Sequence, residues 1–505
     1  MNEGSLATRV MAGTRRRTFL RASGALIGGI ALGTQVTAAT RTDRFIVETK
    51  GNGTADDLTV VHELPGVKFV VVEETEDAVE ESEAVKDYAP DVDIELDDPD
   101  PNADAPNVEE TSVSDEPFYP LQWDKQVLDV STAHETAKGD GSRITIIDSG
   151  VAADHPDLEV NEGLSRNFTG DGLGSANPAG GYHGTHVAGI AAAKTDNEVG
   201  VAGTAPETDL VDCRVFSATG GATFGDILAA VVYSVSIDAD AANLSLGAYP
   251  VPRRNIGSFY GKVLNSTMTY ANKEGTALVV AAGNDAADLQ HDKNFISLPN
   301  EGAQAVSVSA TGPIGFEWEA TTVGDEEEPP QSPANYTNFG TNAITVGAPG
   351  GDFSPAGIEQ EDDNGAPPWY YDLVLNTIAI PTYESSDGNI TGIKDIRYTY
   401  GWVSGTSMAA PQVTGAVALM KSANEDLNAN QVESILKRTA SVPDGFEKTY
   451  YGSGFLDLVE AVEEAQEKSK EDDGNDDGNG NDNSGNGKGR RKRSQRTVEL
   501  TSSTP

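Results

Sequence analysis

Apolar and polar positions divide the chain into stretches of different texture. Residues 44–98 read as a small α+β unit. Arg44-Phe45-Ile46-Val47-Glu48 and Val67-Lys68-Phe69-Val70-Val71-Val72-Glu73 predict strands. Glu76 to Tyr88, carrying Val79, Ala84 and Val85, predicts a polar helix. Val92-Asp93-Ile94-Glu95-Leu96 alternates and predicts an edge strand. Residues 99–116 are acidic, contain proline and lack periodicity, which predicts an exposed linker. Over 117–465 short apolar runs alternate with helical patterns. Arg143–Ile147 is followed by 184–194, Asp209–Val215 by 225–237, Ala242–Leu246 by 258–273, and Ala277–Ala282 closes the series. Buried strands alternating with helices predict an α/β fold, a parallel sheet with helices on both faces. The stretch 466–505 turns rich in Asp, Gly and Asn after Lys468 and predicts a disordered tail.

Charge changes the picture. The 505 residues hold 35 Lys+Arg against 80 Asp+Glu, a net charge of -45, with 37 % hydrophobic residues. Such a chain repels a phosphate backbone and an anionic membrane surface, so no nucleic-acid partner is expected, and with no run of eighteen apolar residues in the body of the chain no stable membrane insertion is expected either. Low hydrophobicity with high charge is one signature of disorder. Because acidic residues also lie between well-patterned apolar runs, adaptation to molar salt is the preferred reading. There the Debye length is about 3 Å. One cysteine closes no intramolecular disulfide and builds no thiolate-rich zinc site.

The N-terminus has three parts. Arg15-Arg16-Arg17 leads into Phe19-Leu20, a Gly-rich apolar stretch runs from Ala22 to Val36, and Thr37-Ala38-Ala39 closes it. This predicts a twin-arginine signal peptide over 1–39 and a secreted, extracellular protein.

Three segments carry chemistry. Ile144–Ile147 runs into Asp148-Ser149-Gly150, at the strand end where open α/β sheets place their sites. A surface aspartate ending a strand is the alternative. His183-Gly184-Thr185-His186-Val187-Ala188-Gly189 opens a small-residue helix. His186, one turn in, reads as a hydrogen-bonded core histidine. A zincin is excluded, because its histidines lie at i and i+4 with a glutamate between. Gly405-Thr406-Ser407-Met408-Ala409-Ala410-Pro411 opens an apolar helix, since proline fits only its first turn. Ser407 then reads as a helix cap or as a nucleophile whose backbone N–H faces an oxyanion.

Taken in order, Asp, His and Ser follow subtilisin rather than chymotrypsin or the α/β-hydrolases. The three motifs resemble the signatures of subtilisin-like serine proteases, the subtilases, over residues 117–465. The acidic composition and the signal make the chain similar to halophilic, halolysin-type members. The resemblance implies Ser407 as nucleophile, His183 as general base, Asp148 as its orienting carboxylate and Asn284, in Val279-Val280-Ala281-Ala282-Gly283-Asn284, as oxyanion donor. It implies that Ser245, Leu246 and Gly247 line the substrate site. It further implies a structural calcium ion (Ca2+) held by Asp157 and Asn197 with the carbonyls of Thr195, Val199 and Val201.

Residues 44–98 resemble the family's inhibitory propeptide with a shortened helix. The segments 313–331 and 351–368 look like surface insertions, and Gln412 stands where many relatives have histidine. The expected protein is a monomeric zymogen that hydrolyses proteins or peptides and is inhibited by its own propeptide. An inactive homologue, an acidic calcium-binding surface protein and an esterase are the competing readings. The esterase would need a different triad order and a Gly-x-Ser-x-Gly motif.

Overall fold

The computed structural model describes residues 40–51, 54–95, 116–315, 329–354 and 369–476. The signal, nearly all of the linker, the greater part of both insertions and the tail from 477 lie outside the described residues.

A parallel seven-stranded sheet organises the larger part of the chain. Its order is Val346–Pro349, Ala305–Thr311, Ala277–Ala281, Ala241–Leu244, Arg143–Asp148, Asp209–Arg214 and Arg166–Asn167. The continuous apolar runs seen in the sequence follow from burial on both faces. Along Ala277–Ala281, Val279 and Ala281 join one core while Leu278 and Val280 join the other. The first core is closed by the helices His183–Ala192 and Thr406–Ala423. The second is closed by Phe224–Ser236 and Arg253–Glu274.

The N-terminal unit sits on that second face. Phe69–Glu73 is apolar at nearly every position because it too is covered twice. Phe69 and Val71 join the core that holds Phe224 and Ile227, with Phe69 edge-on to Phe259, whereas Val70 and Val72 join Phe45, Val47 and Val79 in a small core of their own. Its sheet has the order Val60–Leu64, Phe69–Glu73, Thr40–Thr49, Val85–Glu95 and Gly221–Thr223. The last strand belongs to the larger part of the chain. It pairs antiparallel through Asp93↔Thr223, Ile94↔Ala222 and Glu95↔Gly221.

Two expectations need correction here. The helix after Phe69–Glu73 covers only Glu76–Glu81, capped by the Thr75 hydroxyl, which accepts from Ala78 N at 3.3 Å. Val85–Glu95 is a strand, because it finds backbone partners on both sides and Tyr88 packs edge-on against Phe45. For the same reason the 92–95 segment is interior rather than an edge. Val60–Leu64 was not anticipated, nor was the hairpin Val374–Ser386/Asn389–Val403. At the C-terminal end, the helix Leu458–Asp476 continues past Lys468. No helix among the described residues is long and apolar enough to cross a membrane.

The seam between the two parts is partly ionic. The Arg44 Nε donates to Asp91 at 2.9 Å, and its Nη2 pairs with Asp226 on the helix Phe224–Ser236. His62 Nε2 lies 2.8 Å from the same Asp226 oxygen. Asp91 also accepts from Gly225 N at 3.0 Å, so it satisfies an N-terminal donor of that helix.

Candidate active site

Asp148 ends its strand in the interior, with its carboxylate fully buried. Its Oδ1 accepts from Ser149 N at 2.7 Å and lies 2.8 Å from His183 Nδ1. That bond orients the ring and leaves Nε2 as the nitrogen available to exchange a proton. His183 is the first residue of its helix, and Ser149 fixes that end by accepting Gly184 N at 2.8 Å. Gly184 is required at this point. A Cβ there would stand 2.7 Å from the Gly150 carbonyl and 2.9 Å from its nitrogen.

Ser407 lies in the first turn of the helix Thr406–Ala423, where backbone N–H groups have no intrahelical acceptor. Its hydroxyl donates to the Ser245 carbonyl at 3.2 Å, and its own carbonyl accepts the Ser245 hydroxyl at 2.7 Å. Ser245 is held in turn by Asn243, whose amide donates to it at 2.9 Å while accepting Thr414 Oγ1 at 2.9 Å. The motif reading did not supply Thr414.

Asn284 follows the strand Ala277–Ala281. Its Oδ1 accepts from Thr406 N at 2.9 Å and Thr406 Oγ1 at 2.8 Å. With the oxygen engaged, the amide turns Nδ2 toward Gly405. A Cβ on Gly405 would lie 3.4 Å from that nitrogen. Thr406 therefore sets which end of Asn284 acts as a donor. It stands inside the serine motif, one residue before the nucleophile candidate.

Leu246 and Gly247 line a crevice beside Ser407 and Asn284, together with Tyr249 and Asp285. Ser245 stands behind the crevice wall and supports Ser407. His186 is a core residue, as expected. Its Nε2 lies 3.2 Å from the carbonyls of Val374 and Gly401 at the base of the hairpin. Burial pulls its pKa down to about 3, so the ring is neutral.

Asp157 is brought onto the loop 194–201. Asn197 Nδ2 donates to its Oδ1 at 2.7 Å, and Val201 N to its Oδ2 at 2.8 Å. Asp196, Glu198 and Gly200 all have left-handed backbone, with φ of 63°, 62° and 61°. Burial pushes Asp157 up to about 6. The buried Tyr400 hydroxyl faces it, and burial and the neighbouring carboxylate raise that phenol's pKa. A buried carboxylate with neutral donors, a phenol oxygen beside it and a carbonyl-rich loop are a hard-oxygen donor set. That chemistry suits calcium. Among the described residues no three acidic, histidine or cysteine side chains cluster as a metal site, so most ligands would come from the backbone.

The subtilase family profile matches residues 139–487. The chain belongs to the subtilase family. It is 27 % identical to thermitase of Thermoactinomyces vulgaris over 346 residues, spanning 68 % of this subtilase and 97 % of thermitase. Identity to subtilisin DY of Bacillus licheniformis is 30 %, over 65 % of this chain and 92 % of that one. Halolysin of Haloferax mediterranei is 29 % identical, over 69 % of this chain but 54 % of halolysin. Among solved structures, a protease of Pseudoalteromonas arctica aligns with a TM-score of 0.51 and 28 % identity, covering 70 % of this chain and all of that one. The subtilase is thus a serine peptidase by family, with the subtilisin-like α/β fold.

Proposed function

We propose that this subtilase is a secreted endopeptidase, made as a zymogen, in which Ser407, His183 and Asp148 act as the triad. Two observations support the reading: the 2.8 Å bond from His183 to the buried Asp148, and the lining of one crevice by both Ser407 and Asn284. In this mechanism the Ser407 hydroxyl leaves the Ser245 carbonyl and passes its proton to His183 Nε2 as it attacks the substrate carbonyl. Asp148 holds the ring and stabilises the imidazolium. Asn284 Nδ2 and the Ser407 N–H donate to the oxyanion. His183 returns the proton to the leaving amine, and a water then cleaves the acyl-enzyme by the same route in reverse.

Residues 44–98 act as the propeptide in this proposal, and cleavage falls in the linker 99–116. Support comes from their seating on the helices Phe224–Ser236 and Arg253–Glu274 and from the strand pairing at 93–95. Calcium is held by Asp157, Asn197 and the carbonyls of Thr195, Val199 and Val201, where it supplies positive charge to a buried carboxylate. The charge of -45 supports a high-salt working place, and the twin-arginine pattern supports export folded.

Labelling with a fluorophosphonate tests the core of the reading. Wild type should take up one equivalent and cleave casein. Ser407→Ala should take up none and lose turnover by a factor on the order of 10⁶, the scale seen when subtilisin loses its own triad serine. Near-normal hydrolysis by the purified variant would remove Ser407 from the mechanism.

A further inference from the structure

The triplet Asn-x-Ser/Thr, with x not proline, is the acceptor pattern for an N-linked sugar on the surface of exported proteins. It occurs at Asn52, Asn167, Asn243, Asn265, Asn335 and Asn389. Asn52 lies outside the described residues. Folding disables four of the others. Asn243 is fully buried, and its Nδ2 donates to Ser245 at 2.9 Å. Asn335 Nδ2 donates to Asp352 at 3.1 Å, and Thr337 is buried. Asn167 Nδ2 donates to Asp171 at 2.9 Å, while its Oδ1 accepts the Thr169 hydroxyl at 2.9 Å. Asn265 lies inside the helix Arg253–Glu274, where residues two apart do not share a face, and Thr267 is fully buried.

Asn389 stays open. It follows the turn Asp387-Gly388 at the closed end of the hairpin, opposite the base where Val374 and Gly401 receive His186. Residues 384–389 and Thr391 are exposed. Among the described residues the Asn389 amide has no hydrogen-bond partner. The register passes from Glu384↔Gly392 to Ser385↔Ile390, so Thr391 bulges out with no residue opposite it.

We propose that Asn389 carries an N-linked oligosaccharide. The inference rests on the export reading above, because a chain that crosses the membrane folded offers only acceptors still open in the folded state. In the step, Asn389 Nδ2 attacks the anomeric carbon of a lipid-phosphate-linked oligosaccharide presented by a membrane glycosyltransferase of the producing cell. The carbon–nitrogen bond forms. The bond from that carbon to the phosphate oxygen breaks, its electron pair stays on the phosphate, and the amide gives up one proton to the transferase. The sugar then shields an exposed loop tip, a preferred place for proteolytic nicking.

The test is mass spectrometry of enzyme collected from the medium of its own cells and stopped with a fluorophosphonate. Cleavage after glutamate and lysine releases the peptide Ser385–Lys394. In wild type this peptide should carry a sugar increment that fragmentation places on Asn389. Asn389→Gln and Thr391→Ala should each abolish the increment, whereas Thr391→Ser should keep it, because serine also completes the triplet. Asn265→Gln should leave it unchanged. Without inhibitor, the two unmodified variants should be cut within the hairpin sooner than wild type, and equal rates overturn the shielding. An unmodified Ser385–Lys394 in enzyme from the medium, or an increment that survives Thr391→Ala, overturns the assignment and leaves the export reading standing. Enzyme found only inside the cells overturns the export reading, and this one with it.

Discussion

The two faces of the seven-stranded sheet are closed in different ways. Under the Ser407 helix the ionic groups lie wholly inside the larger part of the chain. Lys125 Nζ is fully buried and donates to Ile190 O at 2.8 Å, Thr204 Oγ1 at 2.9 Å and Gln412 Oε1 at 2.7 Å. Gln412 bridges back to Asp124 at 2.7 Å, and Lys125 lies 3.6 Å from that same carboxylate. Burial lowers Lys125 to about 8. On the opposite face the ionic groups are divided across a seam. Arg44, His62 and Asp91 stand on the N-terminal unit and Asp226 on the helix beneath it. Groups split in this way return to water when the two parts separate. The Lys125 group reaches water only by unfolding. A charge network buried within one body is therefore a stability element, whereas one buried between two bodies is a latch.

Breaking the first network should have the largest effect. Lys125→Ala strands the Asp124 carboxylate, whose Oδ1 already lacks a partner. In a Ser407→Ala background, which prevents self-digestion, the loss should be about 3–5 kcal/mol of unfolding free energy in denaturant. A loss under about 1 kcal/mol would mean that water reaches the site. Breaking the latch should cost less and act locally. Arg44→Ala in the same background should make separation of the N-terminal unit easier by about 2–5 kcal/mol. The readout is faster hydrogen exchange in the helix Phe224–Ser236, with exchange in Thr406–Ala423 nearly unchanged. Equal acceleration of both helices would erase the distinction between the faces.

The smallest effect sharpens the comparison at a third buried charge. Asp157 is raised in the folded state to about 6, above its ordinary 3.8. The folded chain then holds that proton more tightly than the unfolded chain. Its contribution is fully present below about pH 4 and is lost as pH rises through about 6. In chelator, wild type should lose on the order of 2 kcal/mol relative to Asp157→Asn across that window. Millimolar calcium should reverse the difference, because a cation favours the ionised carboxylate. Thermal unfolding of both proteins with and without calcium measures it. A difference independent of pH would remove Asp157 as a titrating group.

Much of the site was legible because its residues are local to their motifs. Asp148 closes an apolar run, and His183 and Ser407 each open a helix that the sequence marks with small residues and a first-turn proline. The errors fall where partners are distant. The helix expected through Tyr88 stops at Glu81 because Val85–Glu95 finds strands at both sides, one of them at 221–223. The hairpin at 374–403 did leave a signal. Asp387-Gly388, with φ of 53° and 85°, sits between two β-rich runs and is a strong hairpin turn.

By itself the sequence determined the order Asp148, His183, Ser407, the parallel α/β architecture and the acidic character, since each is written in neighbouring residues or in their sum. The tertiary structure alone decided which way Asn284 turns its amide, that Asn338 bonds Asp285, and that Arg44 meets Asp226. Those depend on contacts between residues 122, 53 and 182 positions apart. Local pattern carries no trace of such distances, because hydrophobic periodicity records only whether a position is buried and not what it is buried against.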